Sequence, residues 1–265
     1  MVDNKFSTMV KELIQYRELL YRLAWRDIRV RYKQSLIGIG WAIFVPFVQM
    51  ILFSVIFQRV VKVDTSGIPY PIFSYVGLVP WTLFAASIKS ITESLVNNRN
   101  LVTKIYFPRE MFVFSKTLTN LLDFAIAFLI VFGLMVYYHI AFRFTLLLVP
   151  AILLVQLAFM TGLGFILAIG NLFYRDVGYI MTVALQIWMF ATSVLYPVKV
   201  SNPRLQMLLN LNPMTPIINA YRDVVIHGAV PDVVAMLPAI VTALVLFGAG
   251  WVIFHRSEFC FAENI

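Results

Sequence analysis

Charge is scarce in this sequence: 13% of its 265 residues are Asp, Glu, Lys or Arg, against about 25% in an ordinary soluble domain. So little charge cannot cover a water-facing surface, and a soluble enzyme is excluded. A single cysteine, Cys260, rules out an internal disulfide. Three scattered histidines, His139, His227 and His255, give no metal-ligand spacing. No lysine follows a glycine, so there is no G-x-x-x-x-G-K-[ST] loop to cradle nucleotide phosphates. If ATP drives this protein, another chain binds it. Paired carboxylates and nucleophile triads are missing too, because Asp123 is the one acid well inside an apolar run. It lies about two turns from the end of a span, near enough to pair with a cation, and that role is preferred here to a proton relay. The first 33 residues lack the apolar core of a cleavable signal peptide, so the N-terminus is expected to stay in the mature protein.

What is present is hydrophobic. Apolar residues make up 61% of the chain, and charge-free stretches run over 34–58, 65–88, 124–142, 144–174, 177–198 and 233–255. Each is long enough for a helix to cross a hydrocarbon core about 30 Å thick, and helices satisfy their own backbone polar groups, which lipid cannot do. The expected fold is an all-α polytopic membrane protein of one domain, 1–265, with six transmembrane helices. These are placed near 38–57, 72–91, 118–138, 146–172, 177–198 and 233–254.

Three segments fall outside this pattern. Residues 5–33 read as one amphipathic helix, with Phe6, Met9, Val10, Leu13, Leu20, Ala24 and Ile28 on one stripe and Lys11, Arg22, Arg26, Arg29 and Lys33 opposite. Arg17 interrupts the apolar side. Such a helix suits the lipid headgroup layer; the alternative is a helix docked on soluble protein. Residues 92–116 form a polar connection with a short helical piece broken at Pro108. Residues 199–232 are apolar but cut by Pro203, Pro213, Pro216 and Pro231, too short to cross twice, and read as two re-entrant half-helices sheltered by protein. Small residues in the fourth span, among them Gly162, Gly164 and Gly170, predict close packing on another helix, and Pro46 marks a bend in the first.

Lysines and arginines set the orientation. Fifteen lie on the side of both termini and six on the other, which places both termini in the cytoplasm and residues 199–232 outside. The formal net charge of +8 is thereby a matter of topology, and no nucleic-acid partner is expected. Forty residues, 15% of the chain, are aromatic. Trp41, Phe44 and Phe47 on the first span and Trp188, Phe190 and Tyr196 on the fifth could line a path for sugars, whose C–H faces stack on rings. For any single ring, lipid contact or packing is the plainer reading.

The order of motifs resembles the membrane subunit of type-2 ABC exporters that move lipid-linked polysaccharide (O-antigen, capsule or teichoic acid), over nearly the whole chain. Its most specific part is Arg29-Val-Arg-Tyr-Lys-Gln-Ser35-Leu-Ile-Gly38-Ile-Gly-Trp41 leading to Pro46. That run is similar to the family's basic stretch entering the first span, departing at Gly40, where the family carries a bulkier residue. Asn100-Leu-Val-Thr-Lys104-Ile-Tyr-Phe-Pro108-Arg109-Glu110 resembles its cytoplasmic connection, and Arg175-Asp176, Tyr196-Pro197, Asn212-Pro213 and Tyr221-Arg222 follow in family order. The resemblance implies a homodimer in the cytoplasmic (inner) membrane, working with two copies of a separate ATPase subunit that binds ATP and Mg, so that this chain needs no cofactor. It implies a polysaccharide channel between the two copies. Arg99, Asn100, Lys104, Tyr106, Pro108, Arg109 and Glu110 would contact the ATPase together with the N-terminal helix, and Asn212, Pro213, Tyr221 and Arg222 would belong to an extracytoplasmic gate. The O-antigen branch, in which the chain ends soon after span six, is most similar. Two alternatives stand beside this reading: a permease for drugs or small lipids, and a membrane-embedded glycan-processing enzyme, which would need converging acids or a metal.

Overall fold

In a computed structural model, which describes residues 6–33, 35–65, 67–104, 107–196 and 212–258, the N-terminal segment is two helices rather than one: α1 (Phe6–Gln15) and α2 (Arg17–Tyr32). The break falls at Tyr16, whose ψ of 16° leaves the helical range. Tyr16 and Leu20 pack toward the core while Arg17 is exposed, so the break resolves the conflict that Arg17 creates on the apolar stripe. Leu23 and Ala24 are buried, and α2 packs on α7 (Glu110–Tyr137). That part of the stripe is therefore covered by the chain itself.

Five helices among the described residues are long and apolar enough to cross a bilayer: Gly40–Gln58, Tyr70–Thr92, Glu110–Tyr137, Phe144–Phe173 and Val233–Ser257. In the first, α3 (Gly40–Ser54) contains Pro46 and passes into a π-type turn at Val55–Val60. The second, α4 (Tyr70–Thr92), is continuous despite Pro80 and is the centre of the bundle, packed against α3, α7 and the later helices. Between α4 and α7 lie α5 (Ser94–Asn97) and α6 (Arg99–Lys104), short as expected for the polar connection. At 28 residues, α7 is about 42 Å long and starts eight residues before the expected span. Its first turns carry Glu110 and Lys116, which are paired rather than immersed in lipid.

The fourth span joins a 3₁₀ turn at Phe144–Leu148 to α8 (Val149–Phe173), and the last is α11 (Val233–Ser257), N-capped by Asp232, whose Oδ1 accepts from the amides of Val234 at 2.9 Å and Ala235 at 3.3 Å. The glycines of α8 have the predicted use. A Cβ on Gly162 would collide with the backbone of Leu246 and Phe247, and one on Gly250 with the Gly162 carbonyl, so α8 and α11 meet backbone to backbone. Gly162→Val is expected to cost about 1–3 kcal/mol or more through overpacking, read as a fall in melting temperature in detergent. Gly133→Ala, with nothing within 4 Å of its new Cβ, should leave it unchanged.

The fifth apolar helix, α9 (Asp176–Phe190), has 15 residues, about 22 Å, and ends eight residues before the expected limit of Val198. A turn over 191–196 follows. In the 199–232 stretch the described part holds α10 (Met214–Arg222), continued by a π-type turn at Asp223–His227. Met214, Ile217, Ile218, Tyr221, Val224 and Val225 are buried, so this short piece is enclosed by other helices. The first part of that stretch, residues 199–211, lies outside the described residues, so the expected pair of half-helices is seen only in its later part.

Candidate functional site

Polar chemistry gathers at the two ends of the bundle. At the cation-rich end, α2 is tied to α7 by ion pairs that span some 90 positions of sequence. Asp27 accepts from Lys116 Nζ at 2.6 Å and from Arg26 at 2.8 Å, and Arg26 also donates to Asn98 Oδ1 at 2.9 Å. Arg31 pairs with Asp123 and donates to Asn120 Oδ1 at 3.1 Å, while the Tyr32 hydroxyl donates to Asp123 at 2.6 Å. Burial first, and the Asp123 carboxylate second, push the Tyr32 hydroxyl up to about 12, which keeps it a donor. Asp123 thus has the cation partner expected of a structural carboxylate.

A second knot ties α11 to the start of α7. Glu110 Oε1 lies 2.8 Å from His255 Nδ1, and Glu258 Oε1 accepts from the Arg109 amide at 3.1 Å and its guanidinium at 2.9 Å. The two carboxylates and the imidazole place ligand atoms within 4.8 Å of one another, a grouping that sequence spacing conceals because Glu110 lies 145 positions from His255. As an ion site it is compromised: the Arg109 guanidinium already holds Glu258 and would repel a dication. Its chemistry is that of a buried brace.

At the other end, the carbonyls freed where α9 stops are taken by side chains from distant elements. Asn212 donates to Ala191 O at 3.3 Å and Thr192 Oγ1 at 2.8 Å, and accepts from the Trp188 indole at 2.9 Å. Tyr70 donates to Leu195 O at 2.7 Å. Arg222 is 4% exposed; its guanidinium donates to Ser193 O, to Ser193 Oγ at 2.9 Å, to Val194 O at 2.6 Å and to Phe73 O at 3.3 Å. It also lies 3.7 Å from the centroid of the Phe73 ring. A Cβ on Gly77 would stand 2.7 Å from Arg222 Nη2, so glycine there makes room for the guanidinium. Beyond Phe190 the chain forms a turn, and its carbonyls, which no helix ladder satisfies, are taken by Asn212, Arg222 and Tyr70.

The matching family description is ABC-2 type transporter, over residues 18–226. The chain belongs to the ABC-2 type transporter family. Curated relatives agree. The chain is 32% identical, over 97% of its length and 99% of the relative, to the O-antigen export system permease protein RfbA of Myxococcus xanthus. It is 27% identical over 93% of its length and 94% of the relative to the protein of that name from Klebsiella pneumoniae. It is 21% identical, over 88% of its length and 91% of the relative, to the polysialic acid transport protein KpsM of Escherichia coli. With five long apolar helices, this ABC-2 chain is a multi-pass membrane protein.

Within this ABC-2 fold the residues singled out from sequence divide sharply. Arg99 and Asn100 are exposed on α6, Pro108, Arg109 and Glu110 are buried beside α11, and Tyr106 lies outside the described residues. Asn212 and Arg222 meet at the turn after α9, at the opposite end, where Pro213 caps α10, while Tyr221 is buried against Phe124 and Phe128 of α7. The aromatics do not form one stripe. Trp41, Phe44 and Phe47 are exposed on α3, whereas Trp188 is half-buried with its ring 5.1 Å from Phe84 and 6.3 Å from Phe159. Phe190 is exposed, and Tyr196 donates to its carbonyl and stacks on Phe57. Among the described residues no ring contact joins the α3 trio to Trp188, Phe190 or Tyr196. Sequence reasoning missed Asp27, Lys116, His255 and Glu258; for the last two, their spacing at the end of a helix that otherwise carries little charge was the available signal.

Proposed function

We propose that this chain is the channel-forming membrane subunit of an ATP-driven exporter of lipid-linked polysaccharide, most specifically O-antigen, across the cytoplasmic (inner) membrane. The observation that carries the reading is its 32% identity to an O-antigen export permease over 97% of its length. In this reading the chain crosses the membrane six times, with α9 as the fifth span and both termini in the cytoplasm, in keeping with the fifteen-to-six division of cations. Two copies enclose the channel, with Trp41, Phe44, Phe47, Trp188, Phe190 and Tyr196 toward the sugar path. Two separate ATPase subunits bind ATP and Mg, and this chain has no ATPase site. Their closure pushes on α1–α2 and on the segment holding Arg99, Asn100, Lys104, Tyr106, Pro108, Arg109 and Glu110. The ion pairs that join both to α7 and α11 give that push a rigid path into the spans. α10 and its neighbours, with Asn212, Pro213, Tyr221 and Arg222, act as the extracytoplasmic gate, and its two packings are the states between which the channel switches. Reconstituted with its ATPase in vesicles, the chain should move lipid-linked glycan only with ATP and partner present. Movement indifferent to both would end this reading. Asp123→Asn, which keeps a polar partner for Tyr32, should retain more than about half of the transport if the carboxylate is structural.

A further inference from the structure

Arg175 and Asp176 turn α8 into α9, and nothing in the channel, coupling or gate assignments uses them. Arg175 stands at the rim of a cavity of about 520 Å³ at the cation-rich end, between the ends of α4 and α8 and the start of α9. Lys89 and Arg175 line it, both exposed, and neither makes a hydrogen bond or ion pair with any described residue. The lining holds one acid, Glu93, one turn from Lys89 yet not paired with it and accepting instead from Asn97 Nδ2 at 3.4 Å, while Asp176 follows Arg175 in the chain. Tyr179 and Thr182 add hydroxyls, and Val96 and Val183 give an apolar wall. Two unpaired cations beside hydroxyls and an apolar wall suit an amphiphile with an anionic headgroup, since charge-assisted bonds to phosphate oxygens are the strong ones.

Two other cavities lack this character. The one beside Trp41 and Asp123 contains Arg31, already held by Asp123 and Asn120. Between α10 and α11, at the opposite end, the cavity carries Asp223 and Asp232 and no Lys or Arg. An anion is attracted to the Lys89–Arg175 cavity and finds only acids in the one between α10 and α11.

We propose that the Lys89–Arg175 cavity receives the phosphate headgroup of the lipid-linked substrate at the start of transport. The inference rests on the export reading for which end is cytoplasmic, and it names a site that reading leaves open. The test measures binding of labelled farnesyl diphosphate to the full complex in nanodiscs, with farnesol and inorganic diphosphate as competitors. Wild type should bind the diphosphate lipid. Lys89→Gln/Arg175→Gln, both at exposed positions, should weaken it by about tenfold or more, and Lys89→Gln/Arg175→Lys by less. Farnesol should compete equally poorly in all forms. Unchanged affinity in the double Gln variant overturns the site. So does inorganic diphosphate competing as well as the lipid, which makes it a free-anion site. ATP-driven glycan movement by the wild type, measured in parallel, separates the two readings: transport with no Lys89–Arg175 dependence of binding sinks this inference alone, and charge-dependent binding without transport sinks the export reading alone.

Discussion

Arg222→Ala is expected to remove about 3–5 kcal/mol of stability, a large share of what a folded chain has to lose. The guanidinium joins three pieces of chain that no helix ladder connects: the first turn of α4 through Phe73 O, the turn after α9 through Ser193 and Val194, and α10, which carries it. Truncation leaves the Ser193 and Val194 carbonyls without this donor, each worth about 1–3 kcal/mol, takes a second donor from Phe73 O, and opens a void against the Phe73 ring. Arg222→Lys should recover little of this, because one ammonium cannot reproduce a planar fork aimed at several acceptors. Ser193→Ala removes only a hydroxyl, which bonds Asn219 at 3.0 Å and Arg222 at 2.9 Å, and should cost about 1 kcal/mol. Melting temperature and monodispersity in detergent read all three. An Arg222→Lys protein that melts with the wild type would refute the fork argument.

The same network marks the limit of what the sequence could say. Six apolar runs are legible because lipid imposes a length and excludes charge, and five reappear as long helices near the expected places. Two boundaries were misplaced for opposite reasons. Span five looked eight residues longer than α9 because residues 191–198 are uncharged; the turn that follows the helix is held by Asn212 and Arg222, at least 20 positions downstream. The third helix looked shorter than α7 because Glu110 and Lys116 read as a polar boundary, while their partners His255 and Asp27 neutralise them within a packed interface. Local charge is a fair guide only where its partner is also local. The break at Tyr16 has a local cause, Arg17 on an apolar stripe, yet residues 5–33 read as one helix because an interrupted stripe does not by itself say whether the backbone bends. Candidate coupling and gate residues were legible as anomalies in composition; their partners, drawn from helix ends far away in sequence, were not.

Arg109→Gln should be the most damaging single change at the cation-rich end. Glu110, His255 and Glu258 are 2%, 5% and 8% exposed, so the two carboxylates depend on Arg109 and His255 for compensation. Removing one partner of a buried pair costs about 3–5 kcal/mol, whereas replacing both costs far less. Arg109→Gln/Glu258→Gln should therefore recover most of the lost melting temperature. Burial, outweighing the Arg109 bonds, raises the Glu258 carboxyl above its ordinary 4.5. A raised acid binds its proton more tightly folded than unfolded, so its contribution to stability is greatest at low pH and declines as pH rises from 4.5 through the raised value. The double variant should lose that part of the pH slope. Transport gives a separate readout, because the brace links the proposed coupling segment to the last span. If the ion pair carries the push of the ATPase, ATP-driven export stays low in the double variant even with its melting temperature restored, and ATP hydrolysis continues uncoupled from glycan movement. Export that returns in step with stability would reduce the knot to a structural clamp.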